Sequence, residues 1–114
     1  MEKKSKEILL EKEVDWEDVG GGVSRQIFGY DKTIMMVKVK FEQGAVGYKH
    51  QHPHVQTTFV AAGKFELSIG DETKIIETGD GFYVEPNKIH GVVCLEAGML
   101  IDVFSPMRED FLKY

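Results

Sequence analysis

At 114 residues and 12.9 kDa, the chain has the length of one domain and can bury roughly 65% of its unfolded surface. Its 14 basic and 19 acidic residues give a net charge of −5, which argues against a nucleic-acid partner, whose phosphates require a basic face. No apolar run approaches the ~20 residues of a membrane-spanning helix. A lone cysteine, Cys94, excludes an internal disulfide and fits a reducing compartment. The charged start MEKKSKEILLEKE does not read as a secretory signal, so the cytoplasm is the expected location.

Residues 1–13 are mostly Glu and Lys around Ile8, Leu9 and Leu10, and predict a short helix or an ordered arm. Beyond them, alternating or β-branched runs predict strands over 25–30, 33–41, 55–62, 64–69, 73–77, 81–85, 89–95 and 98–104. Arg25 and Gln26, at the start of the first run, either line a polar pocket or sit on a solvated strand edge. Met35, Met36, Trp16, Phe28 and Tyr30 read as core or interface. In 64–69, Phe65, Leu67 and Ile69 alternate with Lys64, Glu66 and Ser68, and Gly70-Asp71-Glu72 supplies a turn, so 64–77 predicts a hairpin. Eight short strands without an interior helix place the chain in the all-β class, as a sandwich or barrel. At the end, Ser105 can cap and Pro106 can start a short helical turn over 105–112, with Met107, Phe111 and Leu112 packing back onto the barrel.

Three of the four histidines, His50, His52 and His54, lie within five residues, and His90 follows 36 residues later. On a strand, His50 and His52 point to the same side, where two neutral imidazoles can share a divalent ion. The spacing from Gly44 is five residues to His50, one to His52, three to Gln56 and six to Gly63. A second segment starts at Gly79-Asp80 and places His90 eleven residues after Gly79. Together these segments resemble the two motifs of the cupin superfamily, over roughly residues 41–104. Four positions depart from the pattern: Gln56 stands where glutamate is frequent, the proline is displaced to Pro86, Asn87 occupies the usual glycine position, and Cys94 sits where asparagine is frequent. Asparagine tolerates left-handed backbone, so the turn at Asn87 survives the exchange.

The resemblance implies a small antiparallel jelly-roll barrel holding one divalent transition metal through His50, His52, Gln56 and His90. His54, after Pro53, is assigned to the rim of the site. The spacing does not select among zinc, nickel, iron, copper and manganese. Three imidazoles and a neutral amide leave the ion at +2, a stronger Lewis acid than a site containing a carboxylate. The resemblance also implies a homodimer.

Asp102 shares a strand face with Leu100 and Phe104, an expensive position for a carboxylate unless it is paired, solvated or used. Arg108 lies four residues beyond Phe104. It pairs with Asp102, Glu109 or Asp110, or it grips a substrate carboxylate while Asp102 moves protons and Phe104 forms an apolar wall. Asp102-Val103-Phe104-Ser105-Pro106, followed by Arg108-Glu109-Asp110-Phe111, is similar to the tail of the pectin-degradation subgroup of cupins, as are Glu85-Pro86-Asn87 and the segment from His50 to Gln56. That likeness implies metal-dependent ring opening of 4,5-unsaturated monouronates to 4-deoxy-L-threo-5-hexosulose uronate, an isomerase-type reaction on a small sugar acid. A non-catalytic sugar-acid-binding or sensing cupin and a metal-dependent dioxygenase are the alternative readings.

Overall fold

The computed structural model describes residues 3–112. Within them the chain forms β1 (Glu17–Gly20), β2 (Val23–Asp31), β3 (Ile34–Phe41), β4 (Val46–His50), β5 (Val55–Ile69), β6 (Glu72–Glu77), β7 (Gly81–Val84) and β8 (His90–Ser105). All ladders are antiparallel, in the order β1-β2-β3-β8-β5-β6, with β4 against β8 and β7 against β5. The path ends on β1 and β6. The jelly roll is therefore an open sheet folded over itself, not a hydrogen-bonded ring.

Two pairs of predicted strands are single strands. The runs 55–62 and 64–69 merge into β5, and 89–95 and 98–104 merge into β8, because the two long strands bend together at one corner. There the β5–β8 register shifts at Val60/Ala62, Ala62/Lys64 and Lys64/Phe65. Gly63 has φ +93°, and a Cβ on it would lie 2.7 Å from the Glu96 carbonyl oxygen; a Cβ on Gly98 would collide with the Ala62 carbonyl. Only residues without side chains let the two backbones approach so closely. On one side of the corner, β5 and β8 pair with β7 and β3; on the other they pair with β6 and β4. One long ladder thus supplies both layers of the fold.

The main core fills the space between the layers with Phe41, Val60, Phe65, Leu67, Cys94 and Leu100. The Phe41 and Phe65 rings meet edge to face at 5.2 Å. A second cluster of Met35, Val37, Phe104 and Met107 is joined by Phe111 and Leu112, which fixes the C-terminal tail on the sheet as the sequence predicts. Met35 is core, whereas Met36 faces outward. Trp16 and Phe28 lie beneath lysine side chains, and Tyr30 packs on the second cluster.

Other local expectations meet mixed outcomes. The 64–77 hairpin forms with Ile69 opposite Glu72, and Asn87 adopts φ +63°. The terminal helical turn is shorter than predicted, a 3₁₀ turn over Glu109–Phe111 with Arg108 before it. Ser105 does not cap it, because Ser105 is the last residue of β8 and its hydroxyl donates to the Thr33 carbonyl at 2.7 Å. Residues 1 and 2 lie outside the described residues. From residue 3 the N-terminal segment is an ordered arm with a 3₁₀ turn at Glu11–Glu13. Ser5 ties it to Tyr30, its N–H donating to the Tyr30 carbonyl and its hydroxyl accepting the Tyr30 N–H, both at 2.9 Å.

Candidate metal centre and active-site cavity

His50 closes β4, His90 opens β8, and the two are register partners, so their side chains emerge side by side. His52 lies past the end of β4, in the loop leading to β5, so it does not share a strand with His50, which side-chain alternation would require. The loop still returns it to the pair. Ring centroids are 4.4 Å apart for His50–His90, 4.9 Å for His52–His90 and 5.5 Å for His50–His52. One nitrogen of each ring lies within 4.8 Å of the others.

Backbone carbonyls set the tautomers. Nδ1 faces the Tyr48 oxygen in His50 (2.8 Å), the His54 oxygen in His52 (3.0 Å) and the Lys88 oxygen in His90 (2.9 Å). A carbonyl only accepts, so each Nδ1 carries the hydrogen, and in the neutral form of the ring Nε2 is the bare lone pair. Nε2 of His90 is buried without a hydrogen-bond partner. Nε2 of His52 lies 3.0 Å from Gln56 Oε1, while the Gln56 amide nitrogen donates to Thr58 Oγ1 at 2.9 Å and to Asp102 Oδ1 at 3.3 Å. Two acceptors therefore face each other across a hydrogen-bond distance. An imidazolium would relieve this opposition, but burial pushes the His52 value down and that of His90 down to about 4, so both rings are neutral near pH 7. Converging lone pairs on neutral donors fit a cation.

The cluster opens on a cavity of about 660 Å³, lined also by Arg25, Gln56, Asp102, Phe104, Arg108 and Phe111. Asp102 on β8 is opposite Thr58 on β5, and Thr58 Oγ1 donates to Asp102 Oδ1 at 2.6 Å. Burial raises the Asp102 carboxyl to about 6, against the lowering effects of the Thr58 hydrogen bond and the Arg108 charge. Phe104 is at once core and wall, with its ring 5.6 Å from that of His52. The aspartate, like Leu100 and Phe104, faces the cavity, as strand alternation predicts.

Arg108 does not pair with Asp102. Its Nε and Nη2 fork onto Asp110 at 3.0 and 2.8 Å, and its guanidinium lies over Phe104 and Phe111, at 5.1 and 4.2 Å from the ring centroids. Arg25 lines the same cavity with Nε on Glu17 at 2.9 Å and its guanidinium 3.9 Å from the Phe111 centroid. Gln26 is a correction to the pocket expectation. One residue further along β2, it faces the opposite side of the sheet, is fully buried, and donates to the Val14 and Glu11 carbonyls at 2.9 and 3.2 Å, clamping the N-terminal arm. His54 stands outside the three-imidazole group. Its carbonyl orients His52 and its ring lies 6.4 Å from that of Phe104.

Sequence reasoning missed two residues of this site. Thr58 shares the strand parity of Gln56, which was signal enough to place it on the same face. Phe111 carried only a packing signal.

Residues 37–104 match the cupin domain family, Cupin_2. The pectin degradation protein KdgF of Dickeya dadantii (strain 3937) is 46% identical over 106 residues, which cover 91% of this chain and 96% of that protein. Among solved structures, KdgF from Halomonas sp. superposes with a TM-score of 0.90 at 39% identity, covering 95% of this chain and all of that one. An RmlC-like cupin from Shewanella frigidimarina NCIMB 400 superposes with a TM-score of 0.94 at 41% identity, covering 96% and 98%.

Proposed function

The chain belongs to the cupin domain family and is a homologue of the pectin degradation protein KdgF, and on that premise we propose that it opens the ring of 4,5-unsaturated monouronates to 4-deoxy-L-threo-5-hexosulose uronate. One observation carries the reading. A carboxylate anchored by Thr58 and Gln56 faces the same cavity as three clustered imidazoles and a guanidinium, groups able to move a proton, hold a divalent ion and bind an acid.

Nε2 of His50, His52 and His90, with Oε1 of Gln56, would hold a divalent transition ion. Bound there, such an ion supplies Lewis-acid polarisation of sugar oxygens. The reaction itself is a proton relocation. The hydrogen leaves the anomeric hydroxyl, the bond from C1 to the ring oxygen breaks, and a hydrogen arrives at C4 of the resulting enol, so that no atom is gained or lost overall. Asp102 is the residue that accepts the first proton and returns one to carbon. Thr58 and Gln56 both donate to its Oδ1, which leaves Oδ2 as the working oxygen and fixes its direction. Phe104 and the apolar walls Val39, Phe41 and Leu100 keep bulk water from competing for the enol.

The test is an absorbance assay with metal-reconstituted protein and unsaturated galacturonate. Loss of the conjugated double bond should be faster than in buffer and should return to the buffer rate on chelation. A rate equal to buffer with metal bound overturns the proposal.

A further inference from the structure

The uronate carboxylate has two oxygens to satisfy, and Arg108 meets it with one donor edge already taken. Its Nε/Nη2 fork, the edge suited to a bidentate carboxylate, is engaged by Asp110. Both hydrogens of Nη1 and the second hydrogen of Nη2 are left as donors. Arg25 meets Glu17 through Nε, which leaves its two Nη groups. Both arginine side chains are largely buried, at 19% and 12% exposure, and both line the cavity. They come from distant parts of the chain, β2 and the C-terminal tail, and what brings them together is one ring. Phe111 has the Arg25 guanidinium carbon 3.9 Å from its centroid and that of Arg108 at 4.2 Å, so the two carbons lie no more than about 8 Å apart. Phe104 backs Phe111 edge to face at 5.8 Å and holds it in place.

The geometry points to a two-arginine anion site in which Arg25 and Arg108 each give one donor edge to a single carboxylate, with Phe111 as the positioning residue that spaces them. Two like charges gathered on one ring repel, and the outer carboxylates of Glu17 and Asp110 offset that repulsion from the side away from the cavity. An incoming carboxylate completes the neutralisation. The ligand class is a sugar monocarboxylate, and the inference rests on the uronate reading above. It adds a tail residue, Phe111, and a strand residue, Arg25, to what selects the acid over its neutral relatives.

Calorimetry with saturated galacturonate and with its methyl ester tests this without turnover. The ester keeps the ring and hydroxyls and removes the charge. The metal-loaded wild type should bind the acid at least tenfold more tightly than the ester. Phe111→Leu keeps apolar bulk but removes the π face, and should shrink that preference severalfold with metal content unchanged. Phe111→Tyr should retain it, and Arg25→Gln should lose it as Phe111→Leu does. A general loss of packing would weaken acid and ester alike and leave the ratio intact. An unchanged ratio in both Phe111→Leu and Arg25→Gln overturns the inference, as does a wild type that does not distinguish acid from ester. Turnover of the unsaturated sugar is recorded separately. Failure there, with the acid preference behaving as stated, removes the ring-opening reading and leaves the anion site standing.

Discussion

The substitution Asp102→Asn separates a working carboxylate from a structural one. Oδ1 accepts from Thr58 and Gln56, and an amide oxygen accepts the same two bonds, so the local shape is preserved. What changes is charge and the capacity to carry a proton. Burial raises the carboxyl from 3.8 to about 6, and at ~1.4 kcal/mol per unit the ionised form therefore destabilises the folded chain by at most about 3 kcal/mol. The sign follows from the raised value: the folded state holds the proton more tightly than the unfolded one. This group's contribution is best below about pH 4, declines as pH rises to about 6, and is flat above. In chelated protein at pH 7, Asp102→Asn should therefore raise Tm, by roughly 3–10 °C once the new amide hydrogens find partners. The melting difference between variant and wild type should vanish towards pH 4. With metal restored, kcat should fall by ~10²–10⁴ with little change in KM. Melts and kinetics on the same samples decide it. A variant less stable than wild type at pH 7, with activity per folded molecule near normal, would show that the carboxylate serves the fold.

Three further outcomes are expected. His52→Ala and His90→Ala should each lose the bound ion, read by metal analysis; a full equivalent retained in both sinks the site. Because the folded value of His90 is depressed to about 4, metal-free protein should lose stability as pH falls from about 6.5 towards 4, and His90→Gln should flatten melts across that window. Gln56→Glu removes the amide donor and sets a second carboxylate about 3.3 Å from Asp102 Oδ1. Metal content should hold, while activity drops and chelated protein loses ~1–3 kcal/mol; unchanged activity with metal bound refutes this. Gly98→Ala drives a methyl into the Ala62 carbonyl at the strand corner and should cost more than ~2 kcal/mol, whereas a Tm within a degree of wild type would show that the corner yields.

Local chemistry was legible in the chain wherever it depends on near neighbours. Alternation put Asp102 on the face of Leu100 and Phe104, Gly70-Asp71 set the hairpin, and Asn87 took left-handed backbone in place of glycine. The resemblance carried by the two histidine spacings also implied which imidazoles converge, and β4 and β8 do bring His50 and His90 into register. Periodicity gives a face but not the layer that the face meets. Arg25 and Gln26 are adjacent, and only the position of the N-terminal arm decides that one enters the cavity and the other clamps Glu11 and Val14. The same limit hid β1 and β4, short strands without strong alternation that exist because β2 and β8 supply their hydrogen bonds. It also divided β5 and β8, whose continuity depends on two glycines meeting across the corner. Arg108 could be proposed for a carboxylate from its type and place, but its partner is a matter of reach in three dimensions. Asp110, two residues on, takes the fork, and Phe111 stacks the guanidinium beside Arg25. Contacts of that kind join residues as far apart as β2 and the last turn, and no spacing along the chain encodes them.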